Sequence, residues 1–503
     1  MSNSESILHA LPEALLSLFA VLAFLLAAFD RRWRLGLLYP LWALVGTAGA
    51  LALVWLGPAC REMGCPLFWG LMADDNLARF FRSLVLLATM VGIFISLGHR
   101  TLPAKRNAEY YALLLVLALG MVMLCSANNL LFIYLAMEAV SLSSYLLTAW
   151  ENENRLRSGE AAMKYVLYGA VASGVMLFGM SLIYGLLGGL NLQQMNLMLA
   201  NDNQLAQPTS AWALACGLVL VLAGFGYKIA AAPFHMWCPD AYEGAPTPFS
   251  ALLSVGPKAA GFAVLLRFFS GLLMQPSSAT VELEAVRQIP WTLVLGIISA
   301  LSMTVGNLSA LVQNNLKRLL AYSSIAHAGY VLMGVTAGGE LGFQSVMIYL
   351  AVYLFMNLGA FAVVAAVEQK TGSEQIEVYR GLGKRSPLLA LAMAVFLVSL
   401  TGLPPTAGFV GKLYLFAALL EQGGVGFWTL ALIGIINSVI SLFYYARVLR
   451  AMYLEKSQLQ EKEPSMLGAA AVSATVLALP VLILGVFWHP LAELASWSAV
   501  FFH

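Results

Sequence analysis

Long apolar segments separated by short polar, glycine- or proline-containing connections run through almost the whole chain. A membrane-spanning helix needs about 20 mostly apolar residues, and about fourteen segments meet that length. Their apolar residues run continuously, without the alternation of a transmembrane β-strand, so each segment can satisfy its backbone hydrogen bonds as a helix. The pattern predicts an all-α polytopic membrane protein with these spans: 8–29, 35–56, 80–98, 108–125, 128–150, 160–187, 211–232, 246–270, 290–312, 318–337, 342–368, 387–420, 425–452 and 465–488.

The composition supports a membrane protein. Hydrophobic residues make up 60% of the chain and charged residues only 10%, with a mean hydropathy of +0.81, which excludes a soluble globular protein. The net charge of +2 does not indicate a nucleic-acid partner. The five cysteines form no C-x-x-C motif and no cluster with histidine, which argues against an iron–sulfur or zinc site. Cys60 and Cys65 share one predicted loop, where a disulfide and two free thiols are both plausible.

The basic residues of the predicted loops predict the orientation, because cytoplasmic loops carry an excess of lysine and arginine. Four lie on one side: Arg61, Arg79, Arg82 and Arg287. Eighteen lie on the other side: Arg31, Arg32, Arg34, Arg100, Lys105, Arg106, Arg155, Arg157, Lys317, Arg318, Lys370, Arg380, Lys384, Arg385, Arg447, Arg450, Lys456 and Lys462. We therefore expect a multi-pass protein of the bacterial inner membrane with both termini in the periplasm.

Three lysines lie deep within predicted spans, where hydrophobicity alone does not place them. They are Lys228, Lys258 and Lys412. An ammonium at the middle of a bilayer costs about 2.5 to 3.5 kcal/mol on insertion scales, so such residues usually face protein or water and have a function. We interpret them as proton-handling groups.

Prolines next to two of these lysines predict broken helices. Pro233 follows Lys228 in the seventh span, and Pro404-Pro405 precede Lys412 in the twelfth. Proline removes a backbone donor, and a break at membrane depth is tolerated only where the freed groups meet protein or water. Two broken spans five helices apart fit two inverted five-helix repeats. The predicted units are a three-helix scaffold over 1–107, repeats over 108–272 and 290–453, and a helix with a tail over 465–503.

Glu138 lies about ten residues from either end of the fifth span and is the one carboxylate predicted at mid-membrane. A buried carboxylate and a buried ammonium are tolerated chiefly as a pair, so we expect Glu138 to contact Lys228. Opening and closing this ion pair would let the lysine hold or release a proton.

The remaining ionisable residues leave alternatives open. Lys164, near the start of the sixth span, either belongs to the proton path or extends to the membrane surface. His327, inside the tenth span, is a candidate proton relay. Glu13 is expected near a membrane surface within the scaffold, and Asp74 and Asp75 in a solvated turn.

Several motifs resemble the antiporter-like proton-pumping membrane subunits of respiratory complex I, NADH:quinone oxidoreductase. They are the Glu138 helix, EAAMKY at Lys164, LAGFGYKIAAAPFHMWCPDAYEGAPTP, LKRLLAYSSIAHAGY and TGLPPTAGFVGKLYLF, and the similarity covers about residues 105 to 455. The resemblance implies that Glu138 and Lys228 form a coupling pair, that Lys258 is the central relay and that Lys412 is the exit group. It places Lys164 and His327 at further positions of the polar axis.

The resemblance also implies partners. Neighbouring antiporter-like subunits and other membrane subunits of complex I would surround the chain in the lipid bilayer. NADH, FMN, iron–sulfur clusters and quinone would bind partner subunits rather than this chain. Two alternatives remain: a subunit of a multisubunit cation/proton antiporter or membrane hydrogenase, and a structural membrane anchor.

Overall fold

The chain is almost entirely helical in the computed structural model. The residues that the structure describes are 3–29, 38–58, 60, 64–102, 107–151, 155–201, 208–272, 290–456 and 468–499. Two short strands, β1 (Cys65–Leu67) and β2 (Met72–Asp74), form an antiparallel hairpin in this part of the chain. Among the loop residues used to predict the orientation, these lie outside the described residues: Arg31, Arg32, Arg34, Arg61, Lys105, Arg106, Arg287 and Lys462.

The first half contains the predicted scaffold and the first repeat. Its helices are α1 (Asn3–His9), α2 (Leu11–Phe29), α3 (Leu38–Leu56), α4 (Asn76–Ile95), α5 (Asn107–Ser126), α6 (Leu130–Thr148), α7 (Arg155–Leu187), α8 (Leu192–Asn201), α9 (Pro208–Ile229), α10 (Trp237–Gly244) and α11 (Thr247–Leu272). Every residue of the apolar window of α11 is buried inside the protein. This helix therefore lies at the centre of the fold.

The second half begins with α12. Its helices are α12 (Trp291–Leu311), α13 (Leu316–Ala337), α14 (Gly339–Thr371), α15 (Leu382–Arg385), α16 (Pro387–Thr401), α17 (Ala407–Gln422), α18 (Val425–Tyr453), α19 (Ala469–Val486) and α20 (His489–Ala499). Helices α13 and α14 are almost wholly buried. Helix α14 packs against α11, α13 and α17 and so joins the two halves.

The all-α membrane fold is confirmed. Thirteen helices within the described residues are long and apolar enough to cross a membrane. The segment predicted at 387–420 is divided between the shorter helices α16 and α17. Some helices extend beyond their predicted spans, and α14 reaches 33 residues.

The first predicted break is present between α9 and α10. Helix α9 ends at Ile229, Ala230 adopts a positive φ of 56°, and the Ala232–Pro233 peptide bond is cis. The backbone N–H of Ala232, freed from a helical partner, donates to the Ser302 hydroxyl at 2.9 Å. The broken backbone is thus satisfied by protein, as the interior of a membrane requires.

The second break separates α16 from α17. Thr401 ends α16, and Gly402 follows with a φ of +89°. A Cβ atom on Gly402 would lie 2.7 Å from the Cδ atom of Lys412, so both the backbone conformation and the lysine stem require glycine here. The backbone N–H of Gly408 donates to the Ser399 hydroxyl at 3.0 Å, which satisfies part of the freed backbone.

The prediction that Asp74 lies in a solvated turn is wrong. The carboxylate of Asp74 is buried and lies 3.2 Å from both Arg79 and Arg82 and 2.7 Å from His9 Nδ1. Arg82 also lies 2.7 Å from Glu13, which is buried in the protein. The two arginines, predicted as loop residues, lie on α4, and their charges compensate the two carboxylates in the interior.

Asp75 is also buried, and it connects the start of α4 to α11. Its two oxygens accept from Arg267 Nη1 and Nη2 at 2.6 and 3.0 Å, in the bidentate geometry that favours strong ion pairs. Asp75 Oδ1 also accepts from the Ala78 backbone N–H at 2.7 Å and so caps α4. One side chain therefore starts α4 and holds α11 against it.

Cys60 and Cys65 form a disulfide in this region, so the free-thiol alternative is not adopted. Among the described residues, one group of possible metal ligands comes close together: His9, Cys60 and Asp74, with ligand atoms within 4.8 Å of one another. The sulfur of Cys60 is committed to the disulfide, and Asp74 is already paired with two arginines. The donor set therefore does not fit a resident metal ion.

We expect Asp75→Ala to destabilise the protein by about 3 to 5 kcal/mol, because it leaves Arg267 buried without its counterion. Asp75→Asn separates the two roles, since an asparagine keeps the helix cap but not the charge. Thermal unfolding of the detergent-solubilised protein measures both variants. The double variant Asp75→Ala/Arg267→Met should recover much of the loss, and wild-type stability of Asp75→Ala would contradict this account.

Candidate functional site: a buried polar axis

The three intramembrane lysines are all buried and share one type of environment. Lys228, Lys258 and Lys412 expose only 3%, 3% and 4% of their surface. Each ammonium donates to one backbone carbonyl and one hydroxyl. No ion pair of 4.0 Å or less joins any of the three to a carboxylate within the described residues.

Lys228 occupies the last turn of α9, directly before the first break. Its Nζ donates to the Met137 carbonyl at 3.3 Å and to the Ser141 hydroxyl at 3.1 Å, both on α6. The side chain also lies against Gly261 of α11, where an added Cβ would come within 3.4 Å of the lysine Cγ. Gly261 follows Lys258 by about one helical turn on α11. The Lys228 side chain therefore contacts α11 about one turn away from Lys258.

The expected contact between Glu138 and Lys228 is not formed. Glu138 accepts a hydrogen bond from the Ser173 hydroxyl on α7, whereas Lys228 binds groups on either side of Glu138 along α6. The direction in which each side chain leaves its helix explains the difference. Lys228 therefore contacts the same turn of α6 that carries Glu138, through Met137 and Ser141, but not the carboxylate itself.

Lys258 donates to the carbonyl and the hydroxyl of Ser324 on α13, at 3.1 and 2.6 Å. Its ammonium also lies 5.9 Å from the centre of the Tyr242 ring on α10. These contacts connect the first half of the chain to α13 in the second half. Lys258 is therefore the junction between the two halves.

His327 lies one turn further along α13 and contacts two tyrosine hydroxyls. Its Nδ1 lies 2.6 Å from the Tyr349 hydroxyl on α14, and its Nε2 lies 3.4 Å from the Tyr445 hydroxyl on α18. The Tyr445 hydroxyl lies 2.5 Å from the Ser323 hydroxyl. Both ring nitrogens thus have a partner that can either donate or accept.

Lys412 lies at the second break. Its Nζ donates to the Thr401 carbonyl at 2.8 Å and to the Ser438 hydroxyl at 3.0 Å. Thr401 is the last residue of α16, so the ammonium stabilises the negative end of that helix dipole. The ammonium also lies 4.4 Å from the centre of the Tyr330 ring, and the Tyr330 hydroxyl receives a hydrogen bond from Ser438 at 3.1 Å.

Helix α13 joins Lys258 to Lys412. Its residues Ser324, His327 and Tyr330 follow one another at intervals of three, which places them on one face of the helix. We define the polar axis as Glu138, Lys228, Lys258, His327 and Lys412 with their hydroxyl partners. The spacing of the three α13 residues could be read from the sequence. The tyrosines of α14 and α18 could be identified as neighbours of His327 only from the folded structure.

Lys164 is not part of this axis. Its side chain is 43% exposed and lies 2.7 Å from Glu160 and 3.0 Å from Asp240. Asp240 also receives a hydrogen bond from Arg318 at 2.6 Å. Partial burial opposes ionisation of Asp240, but hydrogen bonds from Arg318 and Lys164 outweigh it and lower its pKa. Lys164 thus belongs to an ion-pair cluster at the ends of the helices.

A second, more buried group of charges lies at the same ends of the helices. We call it the mouth cluster: Glu151, Arg157, Lys317, Glu368 and Glu374. Glu374 lies 3.0 Å from Arg157 and 3.2 Å from Lys317. Burial raises the pKa of Glu151 to about 7, an effect that the nearby Glu368 and Glu374 reinforce and that Lys317 and Arg157 oppose.

The comparisons with known proteins agree with one another. Residues 127–441 match the family model described as NADH:quinone oxidoreductase/Mrp antiporter, TM. The chain is 47% identical to the NADH-quinone oxidoreductase subunit N of Anaeromyxobacter sp. (strain Fw109-5), over 98% of this chain and 96% of the relative. It is 46% identical to the NADH-quinone oxidoreductase subunit N 2 of Sorangium cellulosum (strain So ce56), over 99% and 98%.

Solved structures show the same fold. A chain of the respiratory complex I from Thermus thermophilus with bound aureothin superposes with a TM-score of 0.76 at 33% identity, covering 96% of this chain and 99% of that chain. A chain of the Mrp complex from Dietzia sp. DQ12-45-1b, at 21% identity, has a TM-score of 0.79 and covers 99% and 96%, which shows a shared fold. The chain therefore belongs to the family of antiporter-like, proton-translocating membrane subunits of NADH-quinone oxidoreductase, and it is similar to subunit N over nearly its full length.

Proposed function

We propose that protons move through this subunit along the polar axis, from Glu138 through Lys228, Lys258 and His327 to Lys412. The observation that carries the proposal is the α13 connection, which places proton-exchanging groups between two buried lysines. Ser324 binds Lys258, and His327 and the hydroxyls of Tyr330 and Ser438 continue the sequence to Lys412. Quinone reduction elsewhere in the complex would drive the transfer.

The partners of the lysines suit a group that both gains and loses a proton. A carbonyl and a hydroxyl are neutral acceptors, so deprotonation of the amine leaves no unpaired buried charge behind. A direct ion pair would hold the ammonium charged and would have to be opened at each cycle. The structure therefore supports transient charging of Lys228, Lys258 and Lys412 in the membrane interior.

His327 suits the relay step because its two ring nitrogens face different hydroxyls. The imidazole can take up a proton on one nitrogen and give one up from the other, and each adjacent tyrosine hydroxyl can donate and accept. His327 Nε2 would exchange a proton with the Tyr445 hydroxyl and Nδ1 with the Tyr349 hydroxyl, so the imidazole could hold a proton between Ser324 and Tyr330. Lys164 would not carry protons on this route. It would pair with Asp240, which also binds Arg318.

We also propose that residues 108–272 and 290–453 are inverted repeats. Each unit places its broken helix fourth, counting α9 with α10 and α16 with α17 as one span each. Inverted units would place the two broken helices in opposite orientations, with both breaks in the membrane interior. Residues 1–107 would form a scaffold, and 465–503 a terminal helix and tail.

The redox chemistry would belong to partner subunits. NADH, FMN, iron–sulfur clusters and quinone are proposed to bind there, and this chain would use the energy of their reaction. Its own partners are other membrane subunits of complex I, because its relatives are subunits of that complex. The lipid-facing residues on α7 and α18 are consistent with a chain that contacts lipid and neighbouring helices.

We propose that the basic loops face the cytoplasm of a bacterium, so that both termini lie in the periplasm of the inner membrane. A reporter fused after Lys384 should then read cytoplasmic, and one inserted after Gly189 should read external. Reporter activity in intact cells measures both, with the same reporter on a known cytoplasmic protein as the control. The opposite signal at Gly189 would overturn the orientation.

Lys412 tests whether the axis needs an ionisable group at the second break. We expect Lys412→Met to lower NADH-driven proton pumping by about tenfold or more, because methionine cannot exchange a proton. Lys412→Glu should retain a substantial part of the activity, since a carboxyl group can. Acidification of inverted membrane vesicles measures pumping in both variants.

Leu413→Met is the matched control, because its side chain faces away from the axis and is 49% exposed. Co-purification of the other subunits shows that each variant complex assembles. Equal pumping in Lys412→Met and Lys412→Glu would show that Lys412 serves packing alone.

A further inference from the structure

The disulfide between Cys60 and Cys65 lies beside two further side chains of metal-binding type. Cys60 Sγ lies 3.9 Å from His9 Nδ1 and 4.0 Å from His9 Nε2, and His9 Nδ1 lies 2.7 Å from Asp74 Oδ2. Cys65 pairs with Asp74 in the β1–β2 hairpin, and opposite residues of an antiparallel pair place their side chains on one face of the sheet. Two sulfurs, an imidazole and a carboxylate therefore converge.

The four side chains come from separate segments of the chain. His9 ends α1, Cys60 follows α3, Cys65 begins β1 and Asp74 ends β2. The interval from Cys60 to Cys65 matches the C-x₂₋₄-C spacing of zinc sites. The histidine is 51 residues from Cys60 along the chain, so the sequence pattern did not indicate a cysteine–histidine cluster.

The separations of the donor atoms suit a tetrahedral zinc ion. Zinc binds thiolates at about 2.3 Å and imidazole nitrogens or carboxylate oxygens at about 2.0 to 2.2 Å, so its ligand atoms lie about 3.3 to 3.8 Å apart. The ligand atoms of His9, Cys60 and Asp74 already lie within 4.8 Å of one another while the disulfide is intact. Adjustments of about 1 Å would bring them to the zinc geometry.

The disulfide bond itself keeps this donor set from binding a metal ion. Zinc binds the thiolate form of cysteine, which a disulfide sulfur cannot adopt. Both cysteines are half-buried, whereas His9 and Asp74 expose only 9% and 3% of their surface. A small dithiol can therefore approach the sulfurs, while the imidazole and the carboxylate are already held in position.

The charges around the four side chains stay balanced when zinc is added. Arg79 and Arg82 compensate the carboxylates of Asp74 and Glu13. Zinc and two thiolates together add no net charge to this group, because the dication cancels the two negative sulfurs. The two arginines would keep their contacts with Asp74 and orient its carboxylate, as outer partners of a metal ligand do.

We propose that reduction of the disulfide creates a zinc site whose ligands are His9, Cys60, Cys65 and Asp74. A dithiol attacks one sulfur, the S–S bond breaks through a mixed disulfide, and the second thiol of the reductant closes a disulfide of its own. Two electrons and two protons thereby pass to the cysteines. Zinc binding then releases these two protons as the thiols become thiolates.

The zinc ion would replace the disulfide as a cross-link. The disulfide joins only Cys60 to Cys65, whereas the metal would also tie α1, through His9, to β2, through Asp74. The site lies in the N-terminal part of the chain and includes no residue of the polar axis. The inference is therefore independent of proton transfer along that axis.

The first test measures the reactivity of the two cysteines in the intact complex. The complex is reduced with dithiothreitol, freed of the reductant without oxygen and treated with iodoacetamide, and modified peptides are quantified by mass spectrometry. Zinc should slow the alkylation of Cys60 and Cys65 by at least about tenfold, because a metal-bound thiolate is not free to react. Magnesium is the control ion and should have no effect, since it prefers oxygen ligands.

The variant His9→Gln removes one zinc ligand but keeps the disulfide and a side chain that can bond to Asp74. It should lower the affinity for zinc, measured from the protection of the cysteines, by at least about tenfold, as loss of even an outer partner does. His489→Gln on α20 is the matched control, because the His489 side chain is 81% exposed, and it should behave like wild type.

Two outcomes of this test would overturn the proposal. Equal protection in wild type and His9→Gln would show an adventitious ion only, held by the two thiols. Failure of dithiothreitol to make either cysteine reactive would show that the disulfide is not reduced in the folded complex.

A second test identifies the ligands directly. The reduced complex should retain one more zinc ion than the oxidised complex after gel filtration, as measured by elemental analysis. X-ray absorption at the zinc edge should show two sulfur ligands at about 2.3 Å and two nitrogen or oxygen ligands at about 2.0 to 2.2 Å for this additional ion. Equal zinc content in the two forms, or a shell without sulfur, would contradict the site.

Discussion

A buried amine needs acceptors, and a regular helix has few carbonyls to spare. The structure provides acceptors in the same way at each of the three buried lysines. Lys228, Lys258 and Lys412 each bind one helix carbonyl and one serine hydroxyl. At Lys412 the carbonyl comes from the end of α16 at the break. The freed carbonyl gains a donor and the buried ammonium gains an acceptor. The helix breaks and the serine-rich faces of α6 and α13 follow from this requirement.

Helix α11 connects three of the charged regions in the described part of the molecule. Thr247 lies at its first residue beside the mouth cluster, Lys258 lies in its middle, and Arg267 near its end binds Asp75 of the scaffold. Every residue of its apolar window is buried, so this part of the helix is not available to lipid. A shift of this one helix would displace both Lys258, in the middle of the polar axis, and Arg267, in the ion pair with Asp75. The ion pair to Asp75 fixes its position.

The sequence predicted the burial of the lysines better than it predicted their contacts. Lys228, Lys258, His327 and Lys412 were recognisable because charged residues in long apolar segments are costly, and both breaks were recognisable from proline. The direct contact of Glu138 with Lys228 was a wrong prediction, because depth in the membrane does not determine which neighbouring helix a side chain faces.

Burial between helices could not be predicted for a similar reason. Asp74 and Asp75 follow a loop in the sequence and were assigned to solvent, but the β1–β2 hairpin and the arginines of α4 and α11 enclose them. Two of their partners, His9 and Arg267, are distant in sequence, so the local pattern did not indicate that these carboxylates are enclosed. The tyrosines around His327 were missed for the same reason, since α14 and α18 contribute them.

The number of protons moved per NADH oxidised tests the central claim most directly. Glu138→Gln retains an acceptor for the Ser173 hydroxyl but cannot exchange a proton, so it isolates the proton-carrying role of the first member of the axis. Glu421→Gln, an exposed glutamate at the end of α17, serves as the control in the same assembled complex. The account predicts a lower proton-to-NADH ratio or a matched loss of turnover in Glu138→Gln alone. A wild-type ratio at wild-type turnover would contradict it.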